Sequence, residues 1–236
     1  ESTRFPGKPL AKIAGIPMIQ RVVKQTQKAK CVKEVFVATD DSRIFDLVNK
    51  NGGIAIMTST GHQSGTDRVA EVARDKDCDI VVNVQGDEPL IPPQNIEKVV
   101  EPLIKDASIS ASSLRILIEN PKDLDNQNIT KVVFDKLDSA LYFSKAPIPW
   151  DRDNWPVDFR EISNLSTPVW FKHIGLYAYR KKFLIEYSAL PTSPLESIEK
   201  LEQLRILENG FSIKVVETDL DSIAVDSESD IKLIEK

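Results

Sequence analysis

The chain has 236 residues, 41% of them hydrophobic and 28% charged, with a formal net charge of −5. That is enough apolar material for one sizeable α/β core, and an acidic balance excludes a broad electrostatic grip on nucleic acid while leaving room for a local basic pocket. The two cysteines, Cys31 and Cys78, form no CxxC pair and the chain has two histidines, so transition-metal capacity is small and a reduced, cytoplasmic setting is expected. No apolar run approaches the roughly 20 residues that span a bilayer, and no signal peptide is visible.

The first stretch, "STRFPGKPL", places Arg4 and Lys8 around Gly7 between two prolines. It is not a Walker loop, because Lys8 is followed by Pro9, which biases Lys8 towards an extended backbone. On the loop alone, a rigid Pro/Gly turn with solvated cations is the reading preferred over a phosphate cradle. "MIQRVVKQTQKA" carries Ile19, Val22, Val23 and Thr26 on one stripe, an amphipathic helix. "EVFVATD" reads as a strand ending at Asp40, "SRIFDLVNKNGG" as a helix stopped at Gly52, and "IAIMT" as a strand. "SGTDRVAEVARDK" reads as a helix capped by Ser64 or Thr66. "DIVVNVQ" is nearly all apolar and predicts a central strand buried on both faces. "PPQNIEKVVEPLIKD" follows as a helix with Pro93 in its first turn.

The second half changes rhythm. "KVVFD" and "ALYFSK" flank "KLDS" as a hairpin, and residues 146 to 170 form an irregular excursion. "KHIGLYAY" resumes as a strand. "SPLESIEKLEQLRILENG" predicts one helix with Leu195, Ile198, Leu201 and Leu204 inward, "SIKVVETD" a late strand and "VDSESDIKLIEK" a short closing helix. Strand–helix alternation argues for a three-layer α/β fold with a mostly parallel central sheet, a single domain over residues 1–236.

Chemistry concentrates at the element ends. The apolar strand runs abruptly into Gln85-Gly86-Asp87-Glu88-Pro89, and in open α/β sheets the carboxyl ends of strands line the ligand crevice. An aspartate there suits a hard cation such as Mg²⁺, although an acidic turn capping the next helix would read the same. "TGHQSGTDRVAE" crowds Gln63, Ser64 and Arg68 at a helix start, where backbone N–H groups can meet a nucleotide and where ordinary capping is the commoner use. Arg152 in "PWDRDNW" can grip a carboxylate bidentately or be held by Asp151 or Asp153. His173 and Tyr177, with Gly175 between, share one face of their strand. Glu202 and Gln203 interrupt a leucine stripe, and Asp226 is either a helix cap or a second carboxylate facing Asp87.

Taken in order, "STRFPGKPL", "ATDD", "HQSGTDR", "VNVQGDEP", "ALYFSKAPIPWDRD", "KHIGLYAYR", "SPLESIEKLEQLR" and "VDSESD" resemble the 3-deoxy-manno-octulosonate (Kdo) cytidylyltransferases over essentially the whole chain. The resemblance implies the nucleotide-diphospho-sugar transferase fold, a homodimer, and Mg²⁺-dependent transfer of CMP from CTP to the anomeric hydroxyl of Kdo for lipopolysaccharide biosynthesis. It implies that Arg4 and Lys8 face the triphosphate and that Gln63, Ser64 and Arg68 lie near nucleotide and sugar. Asp87 and Asp226 would ligate Mg²⁺, with Lys8 as the third catalytic group. Gln85, Arg152, His173, Tyr177, Glu202 and Gln203 would line the Kdo pocket, Arg152 and His173 orienting the sugar acid.

Two departures stand out. The strand and "PAR"-like turn that open the family pattern, with a further arginine, do not precede "STR", so upstream residues are expected to be missing. The closing motif has "VDSESD" where the family more often has "VDTPED". Two other readings are weighed: a different sugar-acid cytidylyltransferase, such as a CMP-sialate synthetase, and a non-catalytic nucleotide-sensing relative.

Overall fold

The structure is a computed structural model and describes residues 7–62, 64–152, 169–225 and 227–235. Its centre is a six-stranded sheet in the order β10-β6-β9-β7-β8, with β5 also paired to β9. These strands are β5 (Ile80–Asn83), β6 (Ala111–Leu117), β7 (Lys131–Phe134), β8 (Ala140–Ser144), β9 (Phe171–Arg180) and β10 (Lys214–Glu217). Two small two-stranded sheets stand apart: β1 (Lys12–Ile13) with β2 (Ile16–Pro17), and the parallel pair β3 (Phe36–Thr39) with β4 (Ile54–Met57).

β9 organises the sheet. It is antiparallel to β5, β6 and β7, while β10 lies parallel to β6. Directions therefore divide, with β5, β6, β7 and β10 running one way and β8 and β9 the other. The sheet is α/β as the sequence predicts but mixed in its ladders, because one long reversed strand is inserted among strands that would otherwise lie parallel. β6 escapes sequence reading altogether: its serines mask an apolar strand, although Ala111 and Leu114 are fully buried.

One edge of β9 is shared end to end. β5 occupies the half from Tyr177 to Arg180, and β7 occupies Phe171 and Lys172. Between them, after the His173 N–H has bonded the Thr130 carbonyl at 2.8 Å, residues 174 to 176 pair with no strand on this edge among the described residues, beside the point where β5 ends. β5 is only half-buried at Ile80, Val81 and Val82, not covered on both faces as its run of apolar residues predicts. Its second edge carries no strand among the described residues.

Alternation along β9 separates two cores. Phe171 and Tyr179 join Val132, Phe143, Phe183, Tyr187, Leu204 and Val215 on one face. Ile174, Leu176 and Ala178 join Leu114 and the inner face of α4 (Pro93–Lys105), namely Ile96, Val99 and Leu103, on the other. Helices thus cover both faces. Over the first face lie α3 (Gly65–Arg74) and α6 (Lys181–Ser188), which pack together. α1 (Met18–Thr26) and α2 (Ser42–Lys50) cover the β3–β4 pair through Ile19, Ile44 and Val48, and Gly52 takes the left-handed φ of 78° that ends α2. α5 (Lys122–Asp125) is a single turn before β7.

Two local expectations need correction. Lys8 is not extended: Lys8–Leu10 is a 3-10 turn, entered through Gly7 at φ 72°, where glycine meets no Cβ penalty. The long "SPLESIEKLEQLRILENG" helix is broken into α7 (Pro194–Glu199) and α8 (Leu204–Glu208) at Lys200, whose φ is 57°. Ile198 is 78% exposed instead of inward. The break has a polar cause. Glu196 turns inward to pair with the buried Arg205 at 2.7 and 2.5 Å, which a continuous leucine stripe would not accommodate. The chain closes with α9 (Glu228–Ile234), where Ser227 and Asp230 form a capping box that supplies the helix start in place of proline.

Candidate active site

The end of β5 leads into a turn closed by the Glu88 N–H on the Gln85 carbonyl at 3.3 Å, and this turn projects Asp87. Lys8 Nζ donates to Asp87 Oδ2 at 2.6 Å, with the Lys8 side chain 10% and the Asp87 side chain 27% exposed. Two residues 79 positions apart therefore meet at the strand end. The Val225 N–H donates to the Asp87 carbonyl at 2.9 Å, so the chain leading to Asp226 arrives at the same turn. Asp226 itself lies outside the described residues, as do Arg4 and Gln63.

Residues that no motif singled out hold this junction. The Ser222 hydroxyl donates to Glu88 Oε2. Burial pushes the Glu88 carboxyl above its usual range, and the Ser222 hydrogen bond partly offsets that. Asn95, fully buried at the start of α4, donates to the Leu220 carbonyl at 2.8 Å and accepts from the Thr218 hydroxyl at 2.7 Å. The exit of β10 is thereby stitched to the exit of β5. The only sequence sign was polar residues, Glu88 and Asn95, standing beside prolines at a helix start.

The second group of candidate residues is built differently. Ser64 caps α3 in a capping box with Asp67, and its hydroxyl donates to Glu202 Oε1 at 3.1 Å. Tyr187 donates to the Glu202 carbonyl at 2.9 Å and to Oε1 at 3.2 Å. Burial raises the Glu202 carboxyl pKa, against hydrogen bonds from Thr66 and Ser64 that lower it. Gln203 beside it is 4% exposed. Asn83, paired with Tyr177 across the β5–β9 ladder, donates to the Thr66 hydroxyl at 3.1 Å and faces Gln85 Nε2 at 3.5 Å. Ser64, Gln85, Tyr177 and Glu202 are thus linked through α3 and the end of β5.

His173 and Tyr177 sit on the same face of β9, their ring centroids 5.5 Å apart, on either side of residues 174 to 176. Phe143 packs edge-on to His173 at 4.8 Å. Burial pushes His173 down to about 3, with the Lys145 charge acting the same way, so the ring is neutral at physiological pH. Burial likewise raises the Tyr177 phenol well above its ordinary range. A neutral imidazole is not a cationic partner for a carboxylate, so an orienting role for His173 would run through hydrogen bonding and not through charge.

Two expected site residues stand apart. Arg68 turns away to Thr58, to the Ser59 carbonyl at 3.2 Å and to Asp40 at 2.9 Å, fastening the ends of β3 and β4. Arg152 is exposed and adjoins residues 153–168, which are outside the described residues. The base of its loop is anchored by Glu199, whose Oε1 accepts the Ser144 hydroxyl at 2.6 Å and whose Oε2 accepts the Lys145 N–H at 2.9 Å.

Among the described residues no three His, Cys, Asp or Glu groups converge as a metal cage. Mg²⁺ needs none, since it is ordinarily held by one or two carboxylates together with substrate phosphates and water. The partly exposed Asp87 carboxylate fits that role. No helix among the described residues is long and apolar enough to cross a membrane.

Comparison with known proteins agrees with this geometry. The cytidylyltransferase family model matches residues 1–218. The 3-deoxy-manno-octulosonate cytidylyltransferase of Geobacter metallireducens is 51% identical over 236 residues, covering 100% of this chain and 93% of the relative. That of Syntrophotalea carbinolica is 52% identical over 234 residues, covering 99% and 93%. The solved structure of a CMP:2-keto-3-deoxy-manno-octonic acid synthetase complexed with CTP superposes with a TM-score of 0.88 at 38% identity, covering 100% of this chain and 92% of that one. The chain belongs to the cytidylyltransferase family, among the 3-deoxy-manno-octulosonate cytidylyltransferases.

Proposed function

We infer that the chain transfers CMP from CTP to the anomeric hydroxyl of Kdo, releasing pyrophosphate. The observation that carries this reading is the 51% identity over the whole chain with a relative of that name. The geometry is compatible with it: a charged corner at the end of β5 adjoins a neutral, aromatic-walled strip on β9.

Each residue has a physical task in this reading. Lys8, carried on the Gly7 turn, would set its ammonium against the triphosphate, where charge grows on the leaving pyrophosphate. Asp87, with Asp226, would hold Mg²⁺. That ion, when bound, supplies positive charge at the α-phosphate and acidifies the attacking hydroxyl. The Glu88–Ser222 and Asn95–Thr218 contacts keep the two chain segments from spreading apart. Gln85, His173, Tyr177, Glu202 and Gln203 would seat the sugar acid with hydrogen-bonding groups and exclude water, while Arg152 would supply a cation for its carboxylate. Ser64 would hold Glu202 in place, with Arg68, Gln63 and Arg4 shaping the nucleotide side.

The homodimer and the cytoplasm complete the proposal. Among the described residues β8 ends the order of its sheet, with the Ala140 N–H held by the Ile213 carbonyl at 2.8 Å, and it exposes Leu141, with Leu137 exposed in its turn, an apolar margin that a second copy would cover. Pyrophosphate release with CTP, Mg²⁺ and a panel of sugar acids tests the whole reading. Release with Kdo is expected, and release only with a sialic acid, or CTP binding without release for any sugar, would overturn it.

A further inference from the structure

Ser113 lies on β6, fully buried, opposite Tyr177. Here the ladder slips: Ser113 pairs with Tyr177 but Leu114 pairs with Ile174, so Gly175 and Leu176 of β9 bulge out of register. The Ser113 hydroxyl fills the bulge. Its Oγ lies 2.9 Å from the Leu176 carbonyl, 3.1 Å from the Ile174 carbonyl and 2.8 Å from His173 Nε2.

Counting protons decides how these contacts are shared. A serine hydroxyl has one proton, and carbonyl oxygens only accept. If that proton went to His173, two carbonyl oxygens would face a bare serine oxygen in a buried place, at a cost of unsatisfied and repelling acceptors. If it goes to a carbonyl, Nε2 must carry a proton and donate to Oγ. The ring is neutral, because burial holds His173 down to about 3, so a proton on Nε2 leaves none on Nδ1. Nδ1 is also not one of the buried, unpartnered side-chain atoms among the described residues, which are Asp67 Oδ1, Arg115 Nε and Arg180 Nε. Nδ1 therefore keeps a little accessible surface on a residue that is 7% exposed overall, and it is the ring nitrogen left to bond a ligand group.

We propose that Ser113 is a positioning residue that fixes His173 as its Nε2–H tautomer and presents Nδ1 as an acceptor, so that this histidine receives a hydroxyl of the sugar and not its carboxylate. A carboxylate brings no proton to a bare nitrogen, whereas a hydroxyl does. Phe143 and Tyr177 hold the ring plane, and Lys145, the charged group that lowers its pKa, keeps it neutral together with burial. The tautomer follows from the protein alone, while the identity of the ligand group rests on the sugar-acid reading above.

Side-chain ¹⁵N NMR of the histidine-labelled full chain, with His62→Gln used to assign the two imidazoles, tests the first part without any turnover. The Nε2–H pattern for His173, unchanged between about pH 5 and 8, is expected. An Nδ1–H pattern, or titration inside that window, overturns the proposal. Ser113→Ala should give a tautomer mixture and raise KM for Kdo about tenfold, the scale of one hydrogen bond, with kcat and KM for CTP little changed. Ser113→Thr, which keeps the hydroxyl, should restore the pattern. For the ligand half, deoxy analogues of Kdo are compared in wild type and Ser113→Ala. The analogue lacking the hydroxyl that meets Nδ1 should lose no further affinity in the variant, while an amide in place of the carboxylate should weaken both proteins equally. The reverse outcome overturns the hydroxyl assignment. If Kdo is not a substrate of wild type at all, the function fails and the tautomer result still stands.

Discussion

Two corners of the candidate site solve opposite electrostatic problems. At the end of β5, Lys8 and Asp87 are partly hydrated and paired at 2.6 Å. Along β9 and the α7–α8 break, burial works against charge: it pushes His173 down to about 3 and raises Tyr177 and Glu202. The first corner is suited to a polyanion and a divalent cation, whose charges reward fixed opposite charges. The second is suited to a polyhydroxylated sugar, which is read by hydrogen-bond direction, and direction is best defined where water is excluded. The lesson is that burial, more than residue type, assigns the roles.

The sharpest way to break this division is Asp87→Ala. Turnover, measured as pyrophosphate release, should fall by on the order of 10²–10³-fold, as for loss of one electrostatic element at a reacting centre. The thermal midpoint should hardly move, because the pair is partly exposed. Near-normal turnover would remove Asp87 from the metal role. At the other corner, Glu196→Ala leaves Arg205 buried with its two-pronged partner gone, and the urea midpoint should report a loss of about 3 kcal/mol. A change of only a few tenths would mean that the α7–α8 break is held by something other than this pair.

Acid should reach the two corners unequally. His173 has a folded pKa below its unfolded value, so the unfolded chain takes up its proton first as pH falls. The stability it contributes is complete above about pH 6.5 and is lost towards pH 3, by up to about 1.4 kcal/mol per pH unit. His173→Gln, which cannot titrate, should have the flatter stability profile in that window. Parallel profiles would contradict a neutral His173. The smallest effect is expected from Lys8→Ala, which should raise KM for CTP about tenfold and leave KM for the sugar nearly unchanged, since one partly screened cation is lost. Equal changes in both constants would dissolve the distinction between the corners.

Much of this was legible in the chain. Periodicity located α1, α2, α3, α4, β3, β4, β9 and the β7–β8 hairpin, because each hides an apolar stripe of clear period. The abrupt change from "VVNV" to "QGDEP" marked the polar end of β5, and the spacing of His173 and Tyr177 put them on one face. What stayed hidden depends on distant partners. β6 was missed because Ser112 and Ser113 look like loop residues until carbonyls of α4 and β9 accept their hydroxyls. The α7–α8 break was missed because Glu196 reads as surface until Arg205 is buried opposite it.

Local pattern by itself determined where strands and helices run, and the ordered motifs determined the family, since both are written in residue identity and short-range spacing. Only the tertiary structure decided that β9 is reversed among its neighbours, that Lys8 meets Asp87, and that His173 is a neutral ring held by a serine 60 positions away. The reason is physical: a side chain's charge and proton are set by the water it has lost and the partner it has gained, and neither is a property of the residues next to it in the chain.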